Sequence, residues 1–231
     1  MSIFERTIGL LTPPECVGCG AEGTSLCIGC AESEILPFGE RCWNCGRISP
    51  RARTCVHCRY GGAPRSVWVT TDYAGLAKTL LRAYKFGHRR AASRDISRLM
   101  AETLKQYNGD DDLSQADYLV VAVPTATGRV RERGFDHAQL LARQIVVERN
   151  LECYSGLSRL GQARQVGAKR STRLTQQTQS YYVRNPDKID GRNILLIDDV
   201  VTTGATLRAA TKALRSAGAR HVDGLVFAKR L

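Results

Sequence analysis

No run of eighteen consecutive apolar residues occurs in the 231-residue chain, which excludes a membrane-spanning helix as the reading of any segment. A cleavable leader is not expected either. Ile3, Phe4, Ile8, Leu10 and Leu11 make the first twelve residues partly apolar, but Glu5 and Arg6 interrupt them and no small-residue cleavage site precedes Pro13-Pro14. A short amphipathic segment packed on its own protein is expected there, and the cytoplasm is the expected compartment. Cysteine is almost missing from the last three quarters of the chain: eight of nine precede residue 59, and the ninth, Cys153, reads as a small buried hydrophobe. Net charge is missing from the start. Residues 1–60 carry six basic and six acidic side chains, so the whole excess of +12 lies beyond them and favours polyanionic ligands, from sugar phosphates to nucleic acid.

What the first sixty residues do contain is four knuckles: Cys16-x2-Cys19, Cys27-x2-Cys30, Cys42-x2-Cys45 and Cys55-x2-Cys58. Two residues between thiolates let one tight turn aim both sulfurs at a common ion, and two such turns complete a tetrahedral Zn²⁺ site. Gly18, Gly20, Gly29 and Gly46 fall in or after the knuckles, where such turns call for positive φ. Sequential pairing gives one site from the first four cysteines and another from the last four; crossed pairing is the alternative. Disulfides suit a secreted mini-protein better than a chain without an export signal, and an iron–sulfur cluster is a lesser option. All-sulfur ligation closes both sites, so the metals are expected to be structural, holding a module of residues 1–62 that has too little apolar bulk to fold alone. His57 reads as a surface turn residue, and Trp43 and Arg47 as cover for the metal site.

From residue 63 the pattern is α/β. Apolar strands are expected around Val67 and Val69, over Tyr118–Val123, Ile194–Ile197 and Val222–Phe227. Helices are expected around Leu76–Tyr84, Ile96–Leu104, Ala138–Arg149 and Thr206–Ala217, the second ending at Asn108-Gly109. Buried strands alternating with helices imply a parallel sheet covered on both faces, with ligands beyond the carboxyl ends of its strands. Pro124–Asp136, Asp198–Thr206 and a loop after Phe227 should meet there.

The most informative string runs Ile197-Asp198-Asp199-Val200-Val201-Thr202-Thr203-Gly204-Ala205-Thr206. A strand delivers two adjacent carboxylates, costly to bury without donors or a cation and suited to a ribose diol with a divalent ion nearby. The turn into a helix then offers amides, a positive dipole end and three hydroxyls to one phosphate. The alternative is an acidic strand end followed by threonine capping of a helix.

This string resembles the phosphoribosyl pyrophosphate motif of type I phosphoribosyltransferases. More of the chain is similar to one branch, the ComF/GntX family of competence-related proteins: Leu10-Leu11 and Pro13-Pro14, Leu80-Leu81 with Tyr84-Lys85-Phe86-Gly87, Val123-Pro124, Arg131-x-Arg133-Gly134-Phe135, and Gln165. Two departures stand out. Asp136-His137 replaces the usual Asn-Gln, and Thr125 the usual Leu, where pyrophosphate or an acceptor would sit, so no particular substrate follows. The resemblance implies a phosphoribosyltransferase-like domain over 63–231 that binds phosphoribosyl pyrophosphate and Mg²⁺. Asp198 and Asp199 would hold the ribose hydroxyls and Thr202 to Thr206 the 5′-phosphate, with Val200 and Val201 counted among the ligand-binding residues, and Lys85 and Arg133 are candidates for the pyrophosphate.

Residues 153–186 contain Arg159, Arg164, Lys169, Arg170, Arg173 and Arg184 and no acidic residue. They read as a ribbon over the site or as a track for single-stranded DNA. Two functions follow from the resemblance. One is an accessory role in DNA uptake, with the zinc module docking a helicase or recombination protein. The other is transfer of phosphoribose to a nucleobase or amine. The sequence leaves little after the last expected strand to form an acceptor pocket, which favours the first.

Overall fold

The computed structural model describes residues 13–86, 89–108, 118–159 and 181–230. The amino-terminal segment, Gly109, Gly87, Gln165 and four of the six basic residues of 153–186 lie outside them. The described helices are α1 (Ile28–Glu34), α2 (Gly75–Phe86), α3 (Ala92–Asn108), α4 (Thr127–Arg133), α5 (His137–Arg149) and α6 (Ala205–Ser216). The strands are β1 (Val67–Asp72), β2 (Tyr118–Ala122), β3 (Glu152–Cys153), β4 (Leu157–Arg159), β5 (Tyr181–Val183), β6 (Asn193–Val201) and β7 (His221–Lys229). Five form one parallel sheet in the order β1-β7-β6-β2-β3, while β4 and β5 pair antiparallel as a separate ribbon.

Because strand side chains alternate, the sheet feeds two cores. Val120, Leu195, Ile197, Leu225 and Phe227 face α2, α3 and α5; Val121, Ile194, Leu196, Val222 and Val226 face α6. Leu207, Ala210, Thr211 and Leu214 recur at helical spacing and are buried, so α6 lies flat on its face of the sheet. The two central strands are longer than their apolar runs. β6 continues through Asp198 and Asp199 to Val201, paired with Val226, Ala228 and Lys229 of β7, which replaces the loop expected after Phe227 with strand. Pro124–Asp136, for which no helix was expected, contains α4.

The cysteine module straddles the outer edge of β1. Phe38 N donates to Thr70 O at 3.0 Å and Thr71 Oγ1 to Leu36 O at 2.8 Å, covering a strand edge that would otherwise be open. Cys16, Leu26, Ala31 and Ile35 join the core on the α2–α3 side, and Phe38, Trp43 and Ala63 the core on the α6 side. Cys153, read as buried, is exposed: β3 is a two-residue strand at the far edge of the sheet. No helix among the described residues is long and apolar enough to cross a membrane.

Candidate functional site

The carboxyl end of β6 gathers the acidic pair. Lys85, in the last turn of α2, reaches across the strand ends and pairs its Nζ with Asp199 Oδ1 at 2.9 Å, the side chains being 17% and 14% exposed. Asp199 N donates to Asp198 Oδ1 at 2.8 Å. Burial first, and then the charge of Asp199, push the Asp198 carboxyl up to about 8, against the pull of that amide and of Lys85. Two adjacent carboxyls with one cation thus hold a proton near neutrality, and a ligand that brings hydroxyl donors or a divalent ion would displace it. Lys85, expected on the pyrophosphate, is here the counter-ion of the acid pair.

Past Val201 the chain turns into α6. The helix begins after Gly204, whose φ of 74° lies in the left-handed region, and no side chain caps it. Thr203 Oγ1 stands 3.4 Å from Ala205 N, at the outer limit of a hydrogen bond. The cap position itself is held by a glycine, so threonine contributes only this long contact to the first amide of the helix. Thr202, Thr203 and Ala205 are exposed, while Gly204 is buried from behind. Val200 and Val201 place their side chains in the two cores, so their contribution to a ligand is limited to backbone. Lys229 Nζ donates to Thr202 O at 2.8 Å, bracing the loop from the end of β7, a contact that sequence spacing did not suggest.

A second wall comes from α4 and α5. Arg133 ends α4, with its guanidinium 4.8 Å over the Phe86 ring and its Nε buried without a described partner. The two departures from the family pattern meet each other: Thr125 donates to Asp136 through N (3.2 Å) and Oγ1 (3.0 Å), and Asp136 also accepts from Gln139 N as the cap of α5. His137 lies between Tyr84 and Phe135, its ring centroid 4.7 and 4.3 Å from theirs. Burial, opposed by Asp199, holds its pKa below the usual value, so it is a neutral wedge that fixes Tyr84 behind Lys85.

Two cavities among the described residues open near the carboxyl ends of the strands. One of about 260 Å³ is lined by Pro124, Thr125, Asp136, Ser158 and Arg184, and links the end of β2 to the β4–β5 ribbon. The other, of about 400 Å³, is lined by Tyr73, Lys78, Arg82, Phe86, Lys229 and Arg230. The end of β7 thus borders a basic cavity where the sequence offered no pocket.

The cysteines pair sequentially. The sulfurs of Cys16, Cys19, Cys27 and Cys30 lie within 4.8 Å of one another, as do those of Cys42, Cys45, Cys55 and Cys58. Gly20 (φ 77°) and Gly46 (φ 72°) make the positive-φ turns; Gly18 instead lets Cys30 Sγ approach, and Gly29 lies in α1. Burial raises the Cys16 and Cys42 thiols, but backbone amides outweigh it and bring them down to about 6 and about 7. Hydrogen bonding to Cys27 pushes Cys30 up to about 12, and burial does the same for Cys58, because four thiolates cannot share a site without a cation. The donor set fits a structural Zn²⁺. His57 is exposed, and Trp43 is fully buried.

The profile of the family described as "Phosphoribosyl transferase domain" matches residues 86–231, the part that carries the acid pair and the uncapped loop. The chain belongs to the phosphoribosyl transferase family. Within it the chain is ComF-like. It is 27% identical over 202 residues to "Competence protein ComFC" of Bacillus subtilis (80% of this chain, 81% of the relative) and 28% identical over 206 residues to "Competence protein ComFC" of Streptococcus pneumoniae (87% and 86%). It is also 28% identical over 186 residues to "DNA utilization protein YhgH" of Escherichia coli (79% and 81%).

Proposed function

We propose that this phosphoribosyl transferase family member binds phosphoribosyl pyrophosphate with Mg²⁺ and acts as an accessory protein of DNA uptake. The observation that carries the ligand is the uncapped start of α6 at Gly204, directly after Asp198 and Asp199. Thr202 to Thr206 would take the 5′-phosphate, Asp198 and Asp199 the ribose hydroxyls, and Arg133 a pyrophosphate oxygen. Mg²⁺ would neutralise the diphosphate and favour the ionised acid pair. The names of the relatives support the DNA-uptake context.

A docking role for the zinc module is supported by its surface. Ile28, Leu36, Ile48, Val56 and Tyr60 are 64%, 71%, 87%, 55% and 75% exposed, an apolar display that suits a helicase or recombination protein better than water. Single-stranded DNA remains part of the reading through Arg159 and Arg184 on the β4–β5 ribbon.

The basic cavity beside Lys229 favours a second reading, transfer of phosphoribose to an acceptor with loss of pyrophosphate, because it gives an acceptor room next to the loop. Exchange of labelled pyrophosphate into phosphoribosyl pyrophosphate, together with calorimetry, tests both. Exchange that Asp199→Asn abolishes supports the enzyme. Binding without exchange supports the accessory role, and no heat with wild type refutes the ligand.

A further inference from the structure

The second cysteine cluster is built into the back of the phosphate loop. Trp43 lies between ligands Cys42 and Cys45 and is 0% exposed. A Cβ built on Gly204 would fall inside the van der Waals envelope of Trp43 Cζ3 and Cη2, so the indole is the surface against which the loop turns. The indole is itself held: Nε1 donates to Thr54 Oγ1 at 2.9 Å, and Thr54 Oγ1 to Pro64 O at 2.7 Å.

From the first turn of α6, Arg208 lays its guanidinium over the same ring at 5.2 Å. It also donates to the carbonyls of Tyr60 and of the ligand Cys58, the latter at 3.0 Å. Gly62, at φ 78°, backs onto Arg208 O so closely that a Cβ there would stand 3.2 Å away. Cluster, tryptophan, loop and helix start are therefore one packed unit.

The first cluster makes its contacts elsewhere. Asp95 of α3 accepts from Thr24 Oγ1, Ser25 N and Leu26 N, and Gly18 packs on Leu76 of α2, on the opposite face of the sheet.

We propose that Trp43 is a positioning residue of the phosphate loop, and that metal occupancy of the Cys42–Cys45–Cys55–Cys58 cluster is linked to sugar-phosphate binding at Thr202 to Thr206. This rests on the reading of that loop as a phosphoribosyl pyrophosphate site. With no side-chain cap, the left-handed turn at Gly204 has the indole as its backing. A metal that fixes Cys42 and Cys58 fixes the indole and Arg208, and a phosphate that fixes Gly204 fixes the indole from the other side. Such linkage is reciprocal: each ligand raises the affinity of the other by one common factor.

The test uses the full chain and phosphoribosyl pyrophosphate with Mg²⁺. Trp43→Leu is expected to keep the wild-type zinc content while its ligand affinity falls about tenfold, with Trp43→Phe recovering most of the loss. A second measurement needs no change at Trp43. In Trp68→Phe protein, where Trp43 is the remaining tryptophan, chelator-driven zinc loss from this cluster is followed by indole emission, and saturating ligand should slow it about tenfold.

Equal affinity of Trp43→Leu and wild type, or zinc release indifferent to the ligand, overturns the linkage while leaving the ligand site standing. Should Trp43→Leu not fold, the release measurement decides. Failure of wild type to bind phosphoribosyl pyrophosphate refutes the underlying site reading, and the linkage with it.

Discussion

Gly204→Ala concentrates the physics of the site in one methyl group. Gly204 sits at φ 74°, where an L-residue with a Cβ costs roughly 1–2 kcal/mol. The new methyl would also overlap the Trp43 ring, which is fully buried and pinned by Thr54 and Arg208, so it cannot swing away freely. Overpacking of this kind adds about 1–3 kcal/mol. The expected loss is therefore about 2–5 kcal/mol of unfolding free energy, measured by urea denaturation with zinc present throughout. In a Trp43→Leu background the overlap is relieved and the dihedral cost remains, so the same substitution should cost about 1–2 kcal/mol, a non-additivity of about 1–3 kcal/mol. A loss below about 0.5 kcal/mol in wild type, or equal losses in both backgrounds, would refute the contact as drawn.

Three further outcomes follow from the acids and their neighbours. Asp198 has a native pKa raised to about 8 from 3.8, so the folded state keeps a proton that the unfolded chain releases. Its contribution is whole below about pH 4 and is lost as pH rises through about 8, so wild type should lose stability relative to Asp198→Asn, which stays neutral, over that window. A pH-independent difference contradicts the assignment. Lys85→Met leaves Asp199 without its cation. Loss of one member of a fully buried pair costs about 3–5 kcal/mol, and the partial exposure here should bring the measured value below that, with Lys85→Met/Asp199→Asn recovering part of it. Asp136→Ala removes the cap of α5 and both bonds to Thr125, so a loss of about 1–2 kcal/mol is expected by thermal unfolding, against a smaller one for Thr125→Val.

Four of the five strands of the sheet were legible because they are apolar runs, and the helices that cover it because they carry 3.6-residue stripes; the four knuckles were legible from their spacing, but their pairing was open between sequential and crossed until the fold brought the sulfurs together. What the sequence hid was set by contacts distant along the chain. The apolar signal of β6 stops at Ile197, yet pairing with β7 carries the strand through two aspartates. α4 has three arginines and one glutamate in seven residues and no buried face, so no periodicity marks it. Cys153 looks like a core residue by type, but an edge strand points it outward. Trp43 was taken as cover for the metal, and it also backs a glycine 161 positions away, a role that only the fold reveals. The order of the motif along strand, turn and helix was legible, but the cap had to be seen. A glycine in the cap position, rather than a threonine, leaves the helix start without a side-chain N-cap.

The most direct test is amide chemical-shift mapping of ¹⁵N-labelled protein titrated with ribose 5-phosphate. The account predicts that the largest, saturable shifts fall on Thr203, Gly204, Ala205 and Thr206. Shifts confined to the basic cavity around Lys78 and Arg82, or none at saturating ligand, would contradict it.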